Sequence, residues 1–104
     1  DVDLVLSGHD HLYARTYLMK GMKSTGNASG LKKQGETLYL SGTSSTGSKF
    51  YEKESGKKGY IAFYDGETEK TPLISAITIQ GKTLTIKTVR TTDMSVFDEI
   101  TIRK

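Results

Sequence analysis

A chain of 104 residues is expected to form one domain with a small core. Its hydrophobic content of 35% is low, which indicates much exposed loop or a partner that completes the core. The formal net charge is only +3 and the lysines are scattered or clustered in loops, so a nucleic-acid partner is not expected. There is no cysteine, so a disulfide framework is not expected. A membrane span is not expected either, because no segment is apolar enough.

The first predicted element is a buried strand of parallel type over residues 3–7, which ends in the breaker Ser7-Gly8. The two histidines of the chain follow as His9 and His11. In extended backbone, side chains at i and i+2 point to the same side about 7 Å apart, so both imidazoles can converge on one metal ion or on two. Paired catalytic metals lie about 3.5–4 Å apart, which suits this spacing. The motif indicates a metal site, against the alternative of two solvated loop histidines.

The middle of the chain is predicted to alternate short strands with polar loops. Strands are expected over residues 13–19 and 37–40, with a loop rich in glycine, serine and lysine over residues 20–35 between them. A second small-residue loop covers residues 41–48. It is one transposition away from a phosphate-cradling pattern, but its lysine does not directly follow the second glycine. We therefore expect a solvated loop.

The rest of the chain is predicted to be almost entirely strand. One helical turn is expected over residues 50–54, followed by a strand over residues 59–64 and a polar connection. Residues 73–79 and 83–89 alternate apolar with polar positions about a central glycine, which predicts a β-hairpin, and residues 96–102 add a third antiparallel strand. One face of these three strands is expected to be buried, namely Ile77, Ile79, Leu84, Ile86, Ile100 and Ile102.

Residues 2–16, which contain Gly-His-Asp-His-Leu-Tyr-Ala-Arg, resemble the last metal motif of the calcineurin-like metallophosphoesterases. The flank after the histidines is most similar to the purple acid phosphatase branch, including its bacterial members. Residues 37–43 resemble the next strand and glycine-containing loop of that family. Residues 74–104 resemble its closing strands, in which an aspartate like Asp98 precedes the last apolar run.

This resemblance implies a binuclear metal centre. His9 would ligate the second metal and His11 the first, which in purple acid phosphatases is the ferric site. Iron, zinc and manganese all accept imidazole. Four further residues are implied to support the motif or to lie near the substrate: Gly8, Asp10, Tyr13 and Arg15. Among them, the glycine permits the tight exit from the strand, and the aspartate points away from the histidines and is not expected to be a ligand. The arginine is the one that can meet a substrate phosphate with its bidentate fork.

A complete member of the family resembles a four-layer α/β/β/α sandwich whose other ligands come from upstream motifs that this sequence lacks. We therefore expect a mainly β fragment, an antiparallel sheet from the carboxyl-terminal half of that sandwich. Residues 1–19 would supply the metal-motif strand and loop, and residues 37–104 the β-rich closing sheet. The parent would hold two metal ions. The fragment alone is expected to hold none stably and to be inactive, since it has too few ligands.

Two functions from different classes are left open. The first is a metal-dependent phosphoester hydrolase acting on a small-molecule phosphoester, secreted or in the cell envelope as the resemblance implies. The alternative is a noncatalytic β-sandwich binding module, since everything after residue 37 would also serve as a small all-β domain. In either case a sheet without its covering layer is expected to associate through exposed strands, as a homodimer or a higher oligomer.

Overall fold

The computed structural model describes residues 2–7, 13–42, 59–65 and 72–104. These residues form ten strands and no helix: β1 Leu4–Ser7, β2 Tyr13–Thr16, β3 Met19–Lys20, β4 Lys23–Ser24, β5 Gly30–Leu31, β6 Glu36–Ser41, β7 Ile61–Asp65, β8 Leu73–Gln80, β9 Thr83–Arg90 and β10 Val96–Arg103. The predicted mainly β fold is confirmed. The helical turn expected over residues 50–54 lies outside the described residues, as does nearly all of the loop over residues 41–48. In the described part of the chain, no segment has the helical length and apolarity needed to cross a membrane.

The first sheet has six strands and is organised about β6. On one side β6 pairs with β1 in parallel, in a register that runs from Leu4 opposite Leu38 to Ser7 opposite Ser41. On its other side it pairs antiparallel with β2 and β3. The parallel pairing of the first strand agrees with the sequence. Its predicted burial is wrong, because Leu6 is 53% exposed. β1 is an edge strand, because no strand of the described residues pairs with its other side, and its side chains therefore have fewer neighbours.

The second sheet has four strands in the order β5-β10-β9-β8. Strands β8, β9 and β10 form the predicted antiparallel meander. The β8–β9 turn has two residues, and Gly81 at its first position has a φ of 62°. This conformation belongs to a type II′ turn and favours glycine, which explains the tight reversal at that point. One bulge interrupts the pairing of β9 with β10, between Val96 and Asp98.

Two predicted elements of the middle of the chain are wrong in detail. The strand expected over residues 13–19 is broken between β2 and β3, where Leu18 is fully buried. The surface loop expected over residues 20–35 contains the β3–β4 hairpin and β5. Gly21, with a φ of 62°, forms the hairpin turn, and β5 crosses to the second sheet and pairs in parallel with β10. Strands of two residues are too short to leave a periodic pattern in the sequence.

The hydrophobic core lies between the two sheets and contains side chains from both, namely Tyr13, Leu18, Leu38, Leu40, Leu73, Ile86, Ile100 and Ile102. Three of the six residues predicted for the buried face belong to this core, and Leu84 packs against it. The prediction is wrong for Ile77 and Ile79, which are 39% and 71% exposed. Both lie on β8, the outermost strand, whereas the deeply buried side chains of the sheet lie mainly on β9 and β10.

Candidate functional site

Several strand ends meet at one edge of the first sheet. Ser7 lies opposite Ser41 in the parallel pair, and the carbonyl oxygen of Ser7 accepts a hydrogen bond of 3.0 Å from the amide of Gly42. Tyr13, the first residue of β2, lies opposite Asp65 of β7. β1 therefore ends, and β2 begins, at the same side of the sheet. The predicted site residues Gly8, His9, Asp10 and His11 lie between these two strands in the sequence, outside the described residues.

Arg15, the second residue along β2 from Tyr13, points into the space between the sheets. Its Nε donates a hydrogen bond of 2.8 Å to Oδ2 of Asp98, and its Nη2 donates one of 3.0 Å to Oδ1. Both residues are buried, with 8% and 9% of their surface exposed. A third guanidinium nitrogen, Nη1, reaches the carbonyl oxygen of Ala28 at 3.5 Å. The guanidinium group of Arg15, which the resemblance implies can meet a substrate phosphate, therefore binds the carboxylate of Asp98 in this structure.

Tyr13 completes the contacts of this carboxylate. Its hydroxyl donates a hydrogen bond of 2.8 Å to Oδ2 of Asp98 and lies 3.3 Å from the hydroxyl of Thr88. The latter is 2.7 Å from the hydroxyl of Ser75, so the polar contacts continue to β8. Burial, reinforced by the neighbouring Asp98, raises the pKa of Tyr13 well above its usual value of 10.0. The phenol therefore stays protonated and donates.

Three aromatic rings surround this polar centre. Tyr13, Phe63 and Phe97 contact each other edge to face, with ring centroids 5.3 to 5.7 Å apart. The Arg15 guanidinium lies 5.7 Å from the centroid of Phe63, and that of Arg90 lies 5.2 Å from the centroid of Phe97. These distances permit cation–π attraction. The ring contacts join β2 and β7 of the first sheet to β10 of the second.

The bulge in β10 explains how Phe97 and Asp98 both reach this cluster. Regular alternation would direct neighbouring side chains to opposite faces. The paired positions jump from Val96 to Asp98 opposite consecutive residues of β9, so Phe97 is the extra residue of the bulge. A bulge of this kind re-aims a side chain. Phe97 packs on the core while Asp98 is buried beside it.

A second ion cluster lies at the opposite end of β1. Asp3 is 3.1 Å from the ammonium group of Lys32 and 3.0 Å from that of Lys104. The side chain of Lys32 is only 1% exposed, whereas that of Lys104 is 52% exposed. Burial alone raises the pKa of Asp3, but the two ammonium groups outweigh it and hold that pKa below 3.8. This carboxylate is thus a structural counter-ion.

The buried carboxylates that the structure describes are therefore engaged. Asp98 accepts three hydrogen bonds, and Glu36 accepts one of 2.8 Å from the amide of Lys33. Among the described residues, no group of three histidine, aspartate or glutamate side chains is arranged to hold a metal. Tyr13, Arg15 and Asp98 together form a buried clamp that joins the start of β2 to β10, in which the phenol is protonated and the carboxylate accepts three hydrogen bonds.

Asp98 is the residue of this clamp whose role the sequence analysis missed. A usable signal existed, because Asp98 alternates with Ile100 and Ile102, which were predicted to be buried. A carboxylate on a buried face requires a cation or several donors. The pairing with Arg15 spans 83 positions of the sequence, and no local pattern identifies such a distant partner.

Comparison with known proteins places the fold. No protein-family model matches the sequence, and a search of curated proteins gives no match. Among solved structures, the chain is similar to a purple acid phosphatase isolated from yellow lupin (Lupinus luteus) seeds, with a TM-score of 0.78 and 20% sequence identity. The match covers 97% of this chain and 17% of the lupin chain. The chain therefore has the fold of one part of a purple acid phosphatase.

Proposed function

We propose that this chain is the carboxyl-terminal part of a binuclear-metal phosphoester hydrolase that is similar to the purple acid phosphatases. In this proposal residues 1–19 supply the metal-motif strand and loop, and residues 37–104 supply the closing sheet. The observation that carries it is the likeness of 97% of the chain to a phosphatase fold, in a sequence whose Gly-His-Asp-His motif follows a parallel strand. Loops after the carboxyl ends of parallel strands are the usual position of binding residues.

His9 and His11 are the proposed metal ligands, and neutral imidazole suits iron, zinc and manganese. Bound metals would supply Lewis acidity and an activated water. The remaining ligands would come from upstream motifs of a longer chain, as the resemblance to the family implies. Tyr13, Arg15 and Asp98 would fix the position of β2, the strand that follows the histidine motif. They would thereby limit the movement of the carboxyl end of the motif.

The isolated chain is proposed to be inactive. Two histidines offer one or two ligands to each metal, while a catalytic site needs about three protein ligands and a water. Two multivalent cations side by side also need nearby negative charge, which the engaged carboxylates do not provide. Addition of zinc, manganese or iron to the 104-residue chain should therefore produce no hydrolysis of an aryl phosphate.

The proposal is tested in the longer protein that contains this sequence. We expect metal-dependent hydrolysis of an aryl phosphate, a small-molecule phosphoester, and a loss of about 100-fold or more in kcat/KM for either His9→Ala or His11→Ala. Asp93→Asn is the control, because it changes an exposed aspartate in the turn between β9 and β10, outside the proposed site; it should retain most of the activity. Equal activity of both histidine variants and the control would refute the metal assignment. A protein that neither binds metal nor hydrolyses phosphoesters would favour the noncatalytic binding module.

A further inference from the structure

Within the part of the chain that the structure describes, the outer edge of β8 is open. β8 is the last strand of the second sheet, and no strand of the described residues pairs with its other side. It is eight residues long, has neither a charged residue nor a proline, and pairs with β9 without a register shift. Natural proteins block edge strands with charges, prolines, bulges or short length. β8 has none of these features, so its edge is suited to pairing with another strand.

The backbone groups and the exposed side chains of this edge belong to the same residues. The two-residue turn joins Gln80 to Thr83 as a hydrogen-bonded pair, and antiparallel pairs alternate between bonded and non-bonded from there. Ser75, Ile77 and Ile79 are in the non-bonded positions, so their amide and carbonyl groups point away from β9. Ile77 and Ile79 also expose 39% and 71% of their surface on the side that faces the core.

We propose that β8 pairs antiparallel with β8 of a second copy of this chain, joining two four-stranded sheets into one of eight strands. A two-fold axis at Ile77 sets each Ile77 against its counterpart and each Ile79 against Ser75 of the other copy. Pairs of this kind bury the exposed isoleucines on one continuous face. A two-fold contact uses the same patch on both subunits and therefore closes at the dimer.

The charges near β8 favour this partner and this orientation. Lys82 is the second residue of the turn that joins β8 to β9. In the antiparallel arrangement the two copies of Lys82 are about ten residues, or ~33 Å, apart, which exceeds the screening length of about 8–10 Å. A parallel arrangement would set them side by side. Because β8 itself is uncharged, it offers no complement to an acidic or basic partner strand, whereas self-pairing needs none.

This inference does not depend on the proposed function, because it concerns the backbone edge of β8 and uses neither of the proposed metal ligands. The test is the oligomeric state of the chain by light scattering and sedimentation over a range of micromolar concentrations. We expect a dimer. Ile77→Lys, which sets two ammonium groups against each other at the axis, should weaken dimerisation at least about tenfold in Kd. Thr85→Lys is the matched control, because it adds the same charge to the outer face of β9, and it should leave the dimer intact.

Hydrogen exchange provides a second measurement in case Ile77→Lys fails to fold, which circular dichroism would reveal. The amides of Ser75, Ile77 and Ile79 should exchange slowly at concentrations where the chain is dimeric and faster on dilution. The amides of Ala76 and Thr78, which bond to β9, should not respond to dilution. A monomer at every concentration would overturn the proposal. So would a dimer in which the edge amides of β8 exchange as fast as they do in the diluted protein.

Discussion

Arg15 and Asp98 form a two-point ion pair that joins β2 to β10 across the interior of the protein. The two contacts measure 2.8 and 3.0 Å, and both partners are at least nine-tenths buried. A planar guanidinium matches a carboxylate in this geometry, which an ammonium group cannot reproduce. The pair therefore fixes the position of one sheet relative to the other, in addition to neutralising two buried charges.

Removal of one partner should be strongly destabilising. Asp98→Ala leaves the Arg15 guanidinium buried without its counter-ion, and the expected loss in the free energy of unfolding is about 3–5 kcal/mol. This is a large share of the roughly 5–15 kcal/mol typical of a domain. Urea denaturation measures the loss. Glu99→Ala is the control, since Glu99 is the next residue on β10 and is exposed; it should change stability by less than about 0.5 kcal/mol.

The double variant separates the attraction within the pair from the penalty for an unpaired charge. Arg15→Met combined with Asp98→Ala should lose less stability than the sum of the two single variants, because no lone buried charge is left. Additive losses would mean that the two side chains act independently. An effect of Asp98→Ala no larger than that of Glu99→Ala would contradict the buried ion pair itself.

Tyr13 should make stability depend on alkaline pH. Its folded-state pKa is raised above the usual value of 10.0, so its contribution is complete below 10.0 and is lost as the pH rises further. Above about pH 10 the wild type should therefore lose stability faster than Tyr13→Phe, which has no proton to lose. Tyr39→Phe is the control, since Tyr39 is 42% exposed; it should follow the wild type. Parallel curves for wild type and Tyr13→Phe would show that Tyr13 does not titrate with unfolding.

The two lysines around Asp3 should differ in their effect on stability. Lys104→Ala removes a half-exposed ammonium group, and the expected loss is about 0–1 kcal/mol. Asp3→Asn should cost more, about 1–3 kcal/mol after allowance for the partial exposure of Asp3, because Lys32 is almost fully buried. The pKa of Asp3 is lowered on folding, so its contribution is present above pH 3.8 and is lost as the pH falls below that value. Wild type and Asp3→Asn should therefore converge in stability in acid, and a constant difference down to about pH 2 would contradict this.

The larger elements of the fold could be predicted from the sequence because they leave periodic patterns. The alternation of apolar and polar residues in β8, β9 and β10 gave the meander, and Gly81 gave its turn. The smaller elements could not be predicted, since β3, β4 and β5 have two residues each. The exposure of Ile77 and Ile79 depends on which strands the first sheet covers, and the alternation within β8 carries no such information.

The candidate site could be predicted only in part, for a related reason. The histidine motif is a local pattern and was recognised as one, and its metal-binding role stays a prediction because residues 8–12 lie outside the described residues. The clamp depends on long-range contacts and on one irregularity. Phe97 reaches the aromatic cluster through a bulge, and a bulge has no consistent signature in a single sequence.

The ion pair and the hydrogen bond between β2 and β10 also determine when this protein can finish folding. Tyr13 finds its carboxylate partner 85 positions later in the chain, so the first sheet lacks its central polar contact until the last strand is in place. Contacts this distant slow folding, because chain closure comes before any energetic gain. During synthesis the core faces of the early strands therefore stay uncovered until Asp98 has emerged from the ribosome.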